Sequence, residues 1–193
     1  MIVMPSIDLK DGMCVRLRNG DFNTVHKVAE DPIQTAKEYE ADGAELLHIV
    51  DLDGALYGKG INGDIIKSIA SETGLTIQLG GGLRDIESLK WADSIGVDRM
   101  VIGSAAAENP DFVLQAVKVY GDRIVVGIDA KDGIVRTSGW TESSGMDYLE
   151  FADKISKTGV KYIIYTDIEK DGMLSGPSLD NLKALSNAVK CEI

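Results

Sequence analysis

Gly127-Ile128-Asp129-Ala130-Lys131-Asp132-Gly133 is the stretch on which the reading of this chain turns. It closes the apolar run Ile124-Val125-Val126 and puts an aspartate where that run ends. The same arrangement opens the chain, where Met4-Pro5-Ser6 leads into Ile7-Asp8-Leu9-Lys10-Asp11-Gly12. Ile-Asp-x-Lys-Asp-Gly therefore stands at residues 7–12 and again at 128–133. Two copies of one strand-and-loop unit, each ending in a carboxylate, predict a duplicated scaffold with two acid/base groups facing one site.

Outward from these stretches the chain reads as strand then helix. Runs of strand length are Ile2–Ile7, Leu46–Val50, Leu75–Leu79, Met100–Ile102, Ile124–Ile128 and Tyr162–Tyr165. They are apolar nearly throughout, as parallel strands covered on both faces are. Helices begin at Asp31-Pro32, Asn62, Asp85, Asn109-Pro110, Met146 and Ser178, and glycines at 43, 74, 96, 121 and 159 follow the first five. An aspartate or asparagine before proline is a cap followed by a first helical residue that needs no N–H. Serial βα units with short connections give a parallel sheet with right-handed crossovers.

Such a sheet is either open and doubly wound or closed as a barrel, and the repeat decides. Residues 1–121 hold four βα units, and the second copy starts within 122–193, so a complete duplication gives eight. The fold class expected is α/β, a (β/α)8 TIM barrel built by half-barrel duplication, in one domain over 1–193. The second units match as well: Val50-Asp51-Leu52 with Lys59-Gly60 parallels Thr166-Asp167-Ile168 with Ser175-Gly176. The partner of Gly80-Gly81-Gly82 would fall past residue 193, so a seventh strand begins at Cys191-Glu192-Ile193. A barrel of this kind takes about 250 residues, and the expectation is a chain that lacks its C-terminal quarter. A freestanding chain of this length would expose strand edges and be poorly active.

Composition narrows the function. A hydrophobic content of 44% suits a globular core, and the apolar runs stay short of the about 20 residues of a membrane span. The start of the chain has no basic leader, and two cysteines, Cys14 and Cys191, have no ligand-like spacing. A cytoplasmic protein without disulfide or zinc is expected. A net charge of −11 argues against nucleic acid, yet backbone N–H groups can still hold a small phosphate.

In TIM barrels the chemistry sits in the loops after the strands. Asp8 and Asp129, ending the first and fifth strands, can divide base and acid work. The plainer alternative is that each caps its own loop. Gly80-Gly81-Gly82 before the Asp85-capped helix, with Gly103-Ser104 after the next strand, forms a phosphate signal, unless the glycines serve a tight turn alone. Duplication then implies a second phosphate and a ligand phosphorylated at both ends. Arg16, Arg18 and Arg84 lie in βα loops, and Trp140 in Ser138-Gly139-Trp140-Thr141-Glu142 could stack on a ring or anchor its loop. Thr166 and Asp167 end the sixth strand; His48 reads as a core histidine and His26 as a loop residue.

With these residues in view, the chain resembles the isomerase family of histidine biosynthesis, the phosphoribosylformimino-5-aminoimidazole carboxamide ribotide isomerases. The match includes Cys14-Val15-Arg16-Leu17, His48-Ile49-Val50-Asp51-Leu52-Asp53-Gly54, Gly80-Gly81-Gly82-Leu83-Arg84, Gly139-Trp140, Tyr165-Thr166-Asp167-Ile168 and Ser175-Gly176-Pro177. The resemblance implies a cofactor-free Amadori rearrangement of an aminoaldose phosphate to an aminoketose phosphate, by a protein monomeric at full length. It implies Asp8 as proton acceptor and Asp129 as proton donor. It implies Gly81, Gly82, Gly103 and Ser104 at a phosphate, and Arg16, Arg84, Trp140 and Thr166 at the substrate, with no metal. Rival expectations are the sister cyclase barrel, a dual isomerase also serving tryptophan synthesis, and a non-catalytic phosphosugar-binding module. The Gly139-Trp140 and Arg16-Leu17 segments favour the isomerase over the cyclase.

Overall fold

The computed structural model describes residues 3–18, 20–58 and 60–193. Ile2, at the head of the first apolar run, and Lys59, in the repeat of the second units, lie outside the described residues. The chain divides into two compact units, Met1–Arg16 with Thr24–Val101, and Leu17–Asn23 with Ile102–Ile193.

In chain order the first elements are β1 (Ser6–Lys10), β2 (Met13–Arg18), β3 (Asp21–Ala29), α1 (Pro32–Ala41), β4 (Leu46–Asp51), α2 (Leu52–Tyr57), α3 (Gly63–Glu72), β5 (Thr76–Gly80), α4 (Ile86–Ser94) and β6 (Arg99–Ile102). β1 pairs in parallel with β4, β4 with β5 and β5 with β6, so each core strand lies beside the next one in sequence. Serial βα succession without strand skipping is the TIM-barrel-like form of the α/β class. Leu47, Ile49, Ile77, Leu79 and Met100 are fully buried, each stabilising the fold by roughly 1.5–3 kcal/mol. Leu46, His48 and Val50 alternate with them on β4 and are half-buried. Burial thus alternates on β4, while β5 and β6 are buried continuously after their first residue, as their apolar runs suggest.

Then follow α5 (Ser104–Glu108), α6 (Pro110–Tyr120), a 3-10 turn at Gly121–Arg123, β7 (Ile124–Lys131), β8 (Ile134–Thr137), β9 (Glu142–Asp147), α7 (Tyr148–Ser156), β10 (Tyr162–Asp167) and α8 (Leu179–Ala188). β7 and β10 pair in parallel over six residues, from Val125–Tyr162 to Ala130–Asp167. Glu192 forms an isolated parallel bridge to Tyr162, at the place where the sequence reading starts a further strand.

Most helix starts follow local chemistry. Asp31 accepts from the N–H groups of Ile33 and Gln34, both at 3.0 Å. Asp85 and Ser88 form a reciprocal capping box, and Asn109 accepts from Phe112 N at 3.3 Å. Two expectations need correction. The helix read from Met146 starts at Tyr148, with Asp147 as its cap and Met146 inside β9. Asn62 precedes α3 but does not cap it with its side chain; buried partners elsewhere claim that amide.

The larger correction lies after each Ile-Asp-x-Lys-Asp-Gly pattern, where the sequence reading placed irregular loops. The chain forms hairpins instead. β1 pairs antiparallel with β2, with Lys10 opposite Met13. β7 pairs antiparallel with β8, with Lys131 opposite Ile134. The two-residue turns are Asp11-Gly12, with φ 49° and 76°, and Asp132-Gly133, with φ 51° and 76°. Positive φ at both central residues is the hairpin turn whose twist matches that of the strands, and Asp-Gly is its common sequence. Asp8 and Asp129 therefore lie within strands that run on, rather than at strand ends, and His26 lies on β3.

Candidate active site

The first unit carries Asp8, half-buried on β1, opposite Val15 of β2 and Val50 of β4. Arg16 and Arg18 occupy alternate, exposed positions of β2 while Val15 and Leu17 between and beside them are buried. They fall between the first strand and first helix as expected, but on a strand. β5 leads into Gly81-Gly82-Leu83-Arg84 and the capped helix α4. Gly81 has φ +99° and Gly82 φ +81°; a Cβ there would stand 2.2 Å from the Asp51 carbonyl oxygen and 2.5 Å from that of Gly54. These two glycines are dictated by the close approach of the loop to the turn between β4 and α2, whatever the loop binds. The Arg84 guanidinium donates from Nη2 to the Ala55 carbonyl of α2, an arrangement that orients the side chain across that turn.

The second unit carries Asp129 on β7, in register with Thr166 of β10. The Trp140 indole N–H donates to Asp129 Oδ2 at 2.8 Å. Burial pushes the Asp129 carboxyl above the usual carboxylate range, against the hydrogen bonds from Trp140 and Thr166, which pull it down, and with a smaller upward push from Asp171. Trp140 sits in the turn between β8 and β9, where Ser138, Gly139 and Trp140 have φ of 53°, 63° and 72°. Its ring lies so close to Gly20 that a Cβ at Gly20 would be 2.2 Å from Cε3. Ser104 begins α5, and its Oγ accepts from Ser138 N at 2.9 Å. A Cβ on Gly103 would meet nothing within 4 Å, so packing does not explain that glycine as it explains Gly81 and Gly82.

A carboxyl pushed up by burial and oriented by an indole donor is suited to giving a proton. The open space beside Gly103 leaves room for a ligand to approach the backbone there.

A family model described as Histidine biosynthesis protein matches residues 2–193. The chain belongs to that family. Over all 193 of its residues it is 47% identical to 81% of a protein of Clostridium kluyveri. It is 49% identical to 81% of one from Clostridium acetobutylicum and 49% identical to 80% of one from Listeria welshimeri. Each of the three is named 1-(5-phosphoribosyl)-5-((5-phosphoribosylamino)methylideneamino)imidazole-4-carboxamide isomerase.

Within the family fold, several polar residues go beyond what the sequence reading singled out. His48, read as a core histidine, is half-buried on β4; desolvation of its ring lowers it to about 4, and its Nδ1 lies 3.0 Å from Gln78 Nε2. Asp51, known only as a repeat position, is 0% exposed and takes the N–H of Gly54 at 2.9 Å and the Nδ2 of Asn62 at 2.7 Å. Its counterpart Asp167 is approached by Asn181 Nδ2 at 3.4 Å. That amide also donates to the Tyr165 hydroxyl at 3.1 Å, and burial pushes this phenol up to about 12. An asparagine near the start of the helix after an Asp-ended strand was the available signal. Among the described residues no group of three or more His, Cys, Asp or Glu has metal-holding geometry. No helix of the described residues is long and apolar enough to cross a membrane.

Proposed function

We propose that this protein catalyses the reaction for which its relatives are named. That reaction is the Amadori isomerisation of the phosphoribosylamino group of a doubly phosphorylated imidazole carboxamide ribotide to the phosphoribulosyl isomer. Asp129 donates a proton to the ribose ring oxygen as the C1–O bond breaks, leaving an open-chain iminium. Asp8 then removes the proton from C2, giving an enolaminol that tautomerises to the C2 ketone. No atom is gained or lost. One group gives a proton and another takes one, the division of labour that two carboxylates in different environments provide.

The observation that carries this reading is the state of Asp129. Burial raises its carboxyl and an indole N–H orients it, which are the properties of a general acid. Gly81, Gly82, Gly103 and Ser104 serve as the phosphate-binding residues, with Arg16, Arg84, Trp140 and Thr166 as substrate contacts. The openness at Gly103 supports that role there. We read the protein further as a cytoplasmic monomer that needs no cofactor and binds neither nucleic acid nor membrane. Its net charge of −11 supports the second of these exclusions for nucleic acid and for acidic lipid alike.

Steady-state turnover of the relatives' substrate by Asp8→Asn and Asp129→Asn tests the assignment. Each variant is expected to lose about 10²-fold or more in kcat, the scale of a positioned acid or base. Parent-like turnover by both would remove the acid/base pair, whereas no turnover by the parent itself, with variants that complement a histidine auxotroph as well as it does, would leave a binding protein.

A further inference from the structure

Asp53 and Asn62, with Asp51, have no part in the proton transfers proposed above, yet they are among the most enclosed polar side chains of the first unit. They are 4%, 5% and 0% exposed respectively. One amide ties them together. Asn62 Nδ2 donates to Asp51 Oδ1 at 2.7 Å and to Asp53 Oδ2 at 3.0 Å, and Asn62 N lies 3.3 Å from Asp51 Oδ2. On its other side the trio holds the β1–β2 turn: Asp53 Oδ2 accepts from Asp11 N at 2.8 Å, and Asn62 Oδ1 accepts from Gly12 N at 3.2 Å.

The place of that turn explains why it is held. β1 pairs with β4 as far as Leu9 opposite Asp51. Lys10, Asp11 and Gly12 extend past that pairing, and from there the side chains of Asp53 and Asn62 replace strand pairing as the tether. We propose that Asn62 is a positioning residue for Asp8: its amide locks the hairpin turn that sets the path of β1 three residues beyond the carboxylate. The chemistry requires an amide. Two donors must face two buried carboxylates while one acceptor faces an N–H, and asparagine is the short side chain that offers all three. An aspartate of the same shape would put a third negative charge against Asp51 and Asp53 and would withdraw both donors. In the second unit the matching turn is tied differently, by Tyr148 N donating to the Gly133 carbonyl at 3.0 Å. The two hairpins share a sequence pattern and a backbone, but among the described residues the amide clasp is seen on the one that carries Asp8.

This inference rests on Asp8 being the proton acceptor, and its test keeps the two apart. Amide hydrogen exchange at Asp11 and Gly12 is measured with kcat and KM in Asn62→Asp, Asn62→Ala and Ile66→Val. The last trims a fully buried side chain of the same helix, α3, and reports what lost packing does without touching the clasp. In Asn62→Asp and Asn62→Ala we expect exchange at both amides to quicken about tenfold or more and kcat to fall about 10–100-fold with KM within about threefold, as misplacement of a reacting group by about 1 Å does. Ile66→Val should leave kcat and both amides unchanged. Parent-like kcat in Asn62→Ala, slow exchange at the turn in either Asn62 variant, or an equal fall of kcat in Ile66→Val overturns the proposal. Asp8→Asn with full activity would instead overturn the catalytic reading, while the exchange rates would still decide whether Asn62 holds the turn.

Discussion

The carboxyl of Asp129 is pulled two ways, upward by burial and downward by donors from Trp140 and Thr166, and burial prevails. A hydrogen bond to a carboxylate favours its charged form, so taking one donor away raises the group further. Trp140→Phe removes the indole N–H while keeping most of the ring that packs on Gly20. If Asp129 acts as the acid, activity falls as it ionises, and the alkaline limb of the kcat profile should move to higher pH in this variant. A limb that stays in place, in a pH–rate series on parent and variant, would separate the titration from Asp129. The identity of this aspartate was legible from the repeated pattern. The upward push on its carboxyl was not, because burial depends on what the rest of the unit folds over it. The indole partner, eleven residues on, was placed in the correct loop but without its bond.

Elements show a similar division. Capped helices were legible because Asp31-Pro32, Asp85 and Asn109-Pro110 satisfy free N–H groups within a few residues, a problem solved locally. The β1–β2 and β7–β8 hairpins carry a local Asp-Gly turn signal, but the strands that follow it, β2 and β8, lack the long apolar runs of the parallel core and read as loops. Glycines in the βα loops make a sharper test. Gly81→Ala combines positive φ with a Cβ 2.2 Å from a carbonyl oxygen. The positive φ by itself costs about 1–2 kcal/mol, and the clash adds to it, so a fall in Tm of about 5 °C or more is expected at roughly 2–4 °C per kcal/mol. Gly103→Ala has open space around the added methyl. Its Tm should change by less, and its KM should rise if the residue approaches a phosphate. Thermal melts and KM values on both variants check this; a stable Gly81→Ala would contradict the packing, and an unchanged KM in Gly103→Ala would contradict the phosphate role.

At the scale of the molecule, stability should carry the mark of His48. Its folded-state value is lowered by burial to about 4 from 6.5, and a neutral Nδ1 can accept from Gln78 where an imidazolium cannot. The unfolded chain therefore binds the proton more readily. Stability from this group is present above pH 6.5 and is lost as pH falls toward 4, by at most about 3 kcal/mol at 1.36 kcal/mol per unit. Asp129, raised by burial, works in the opposite sense and favours the fold at acid pH. Denaturant unfolding of the parent and His48→Gln between pH 4 and 7 should show a smaller acid loss in the variant, and an NMR titration should find His48 neutral at pH 6. An ordinary histidine titration there would contradict its burial.

The sequence by itself determined the α/β class, the duplicated strand-and-turn pattern, most helix caps and the two aspartates, because periodicity, caps and repeats are properties of neighbouring residues. Tertiary structure alone decided that Gly81 and Gly82 are demanded by carbonyls thirty or so residues back, and that Asn62 serves two buried carboxylates and a distant turn rather than its own helix. Those outcomes depend on which backbone groups become enclosed together. Hydrogen-bond donors and acceptors withdrawn from water must find partners wherever the fold has brought them, and no local pattern records that meeting.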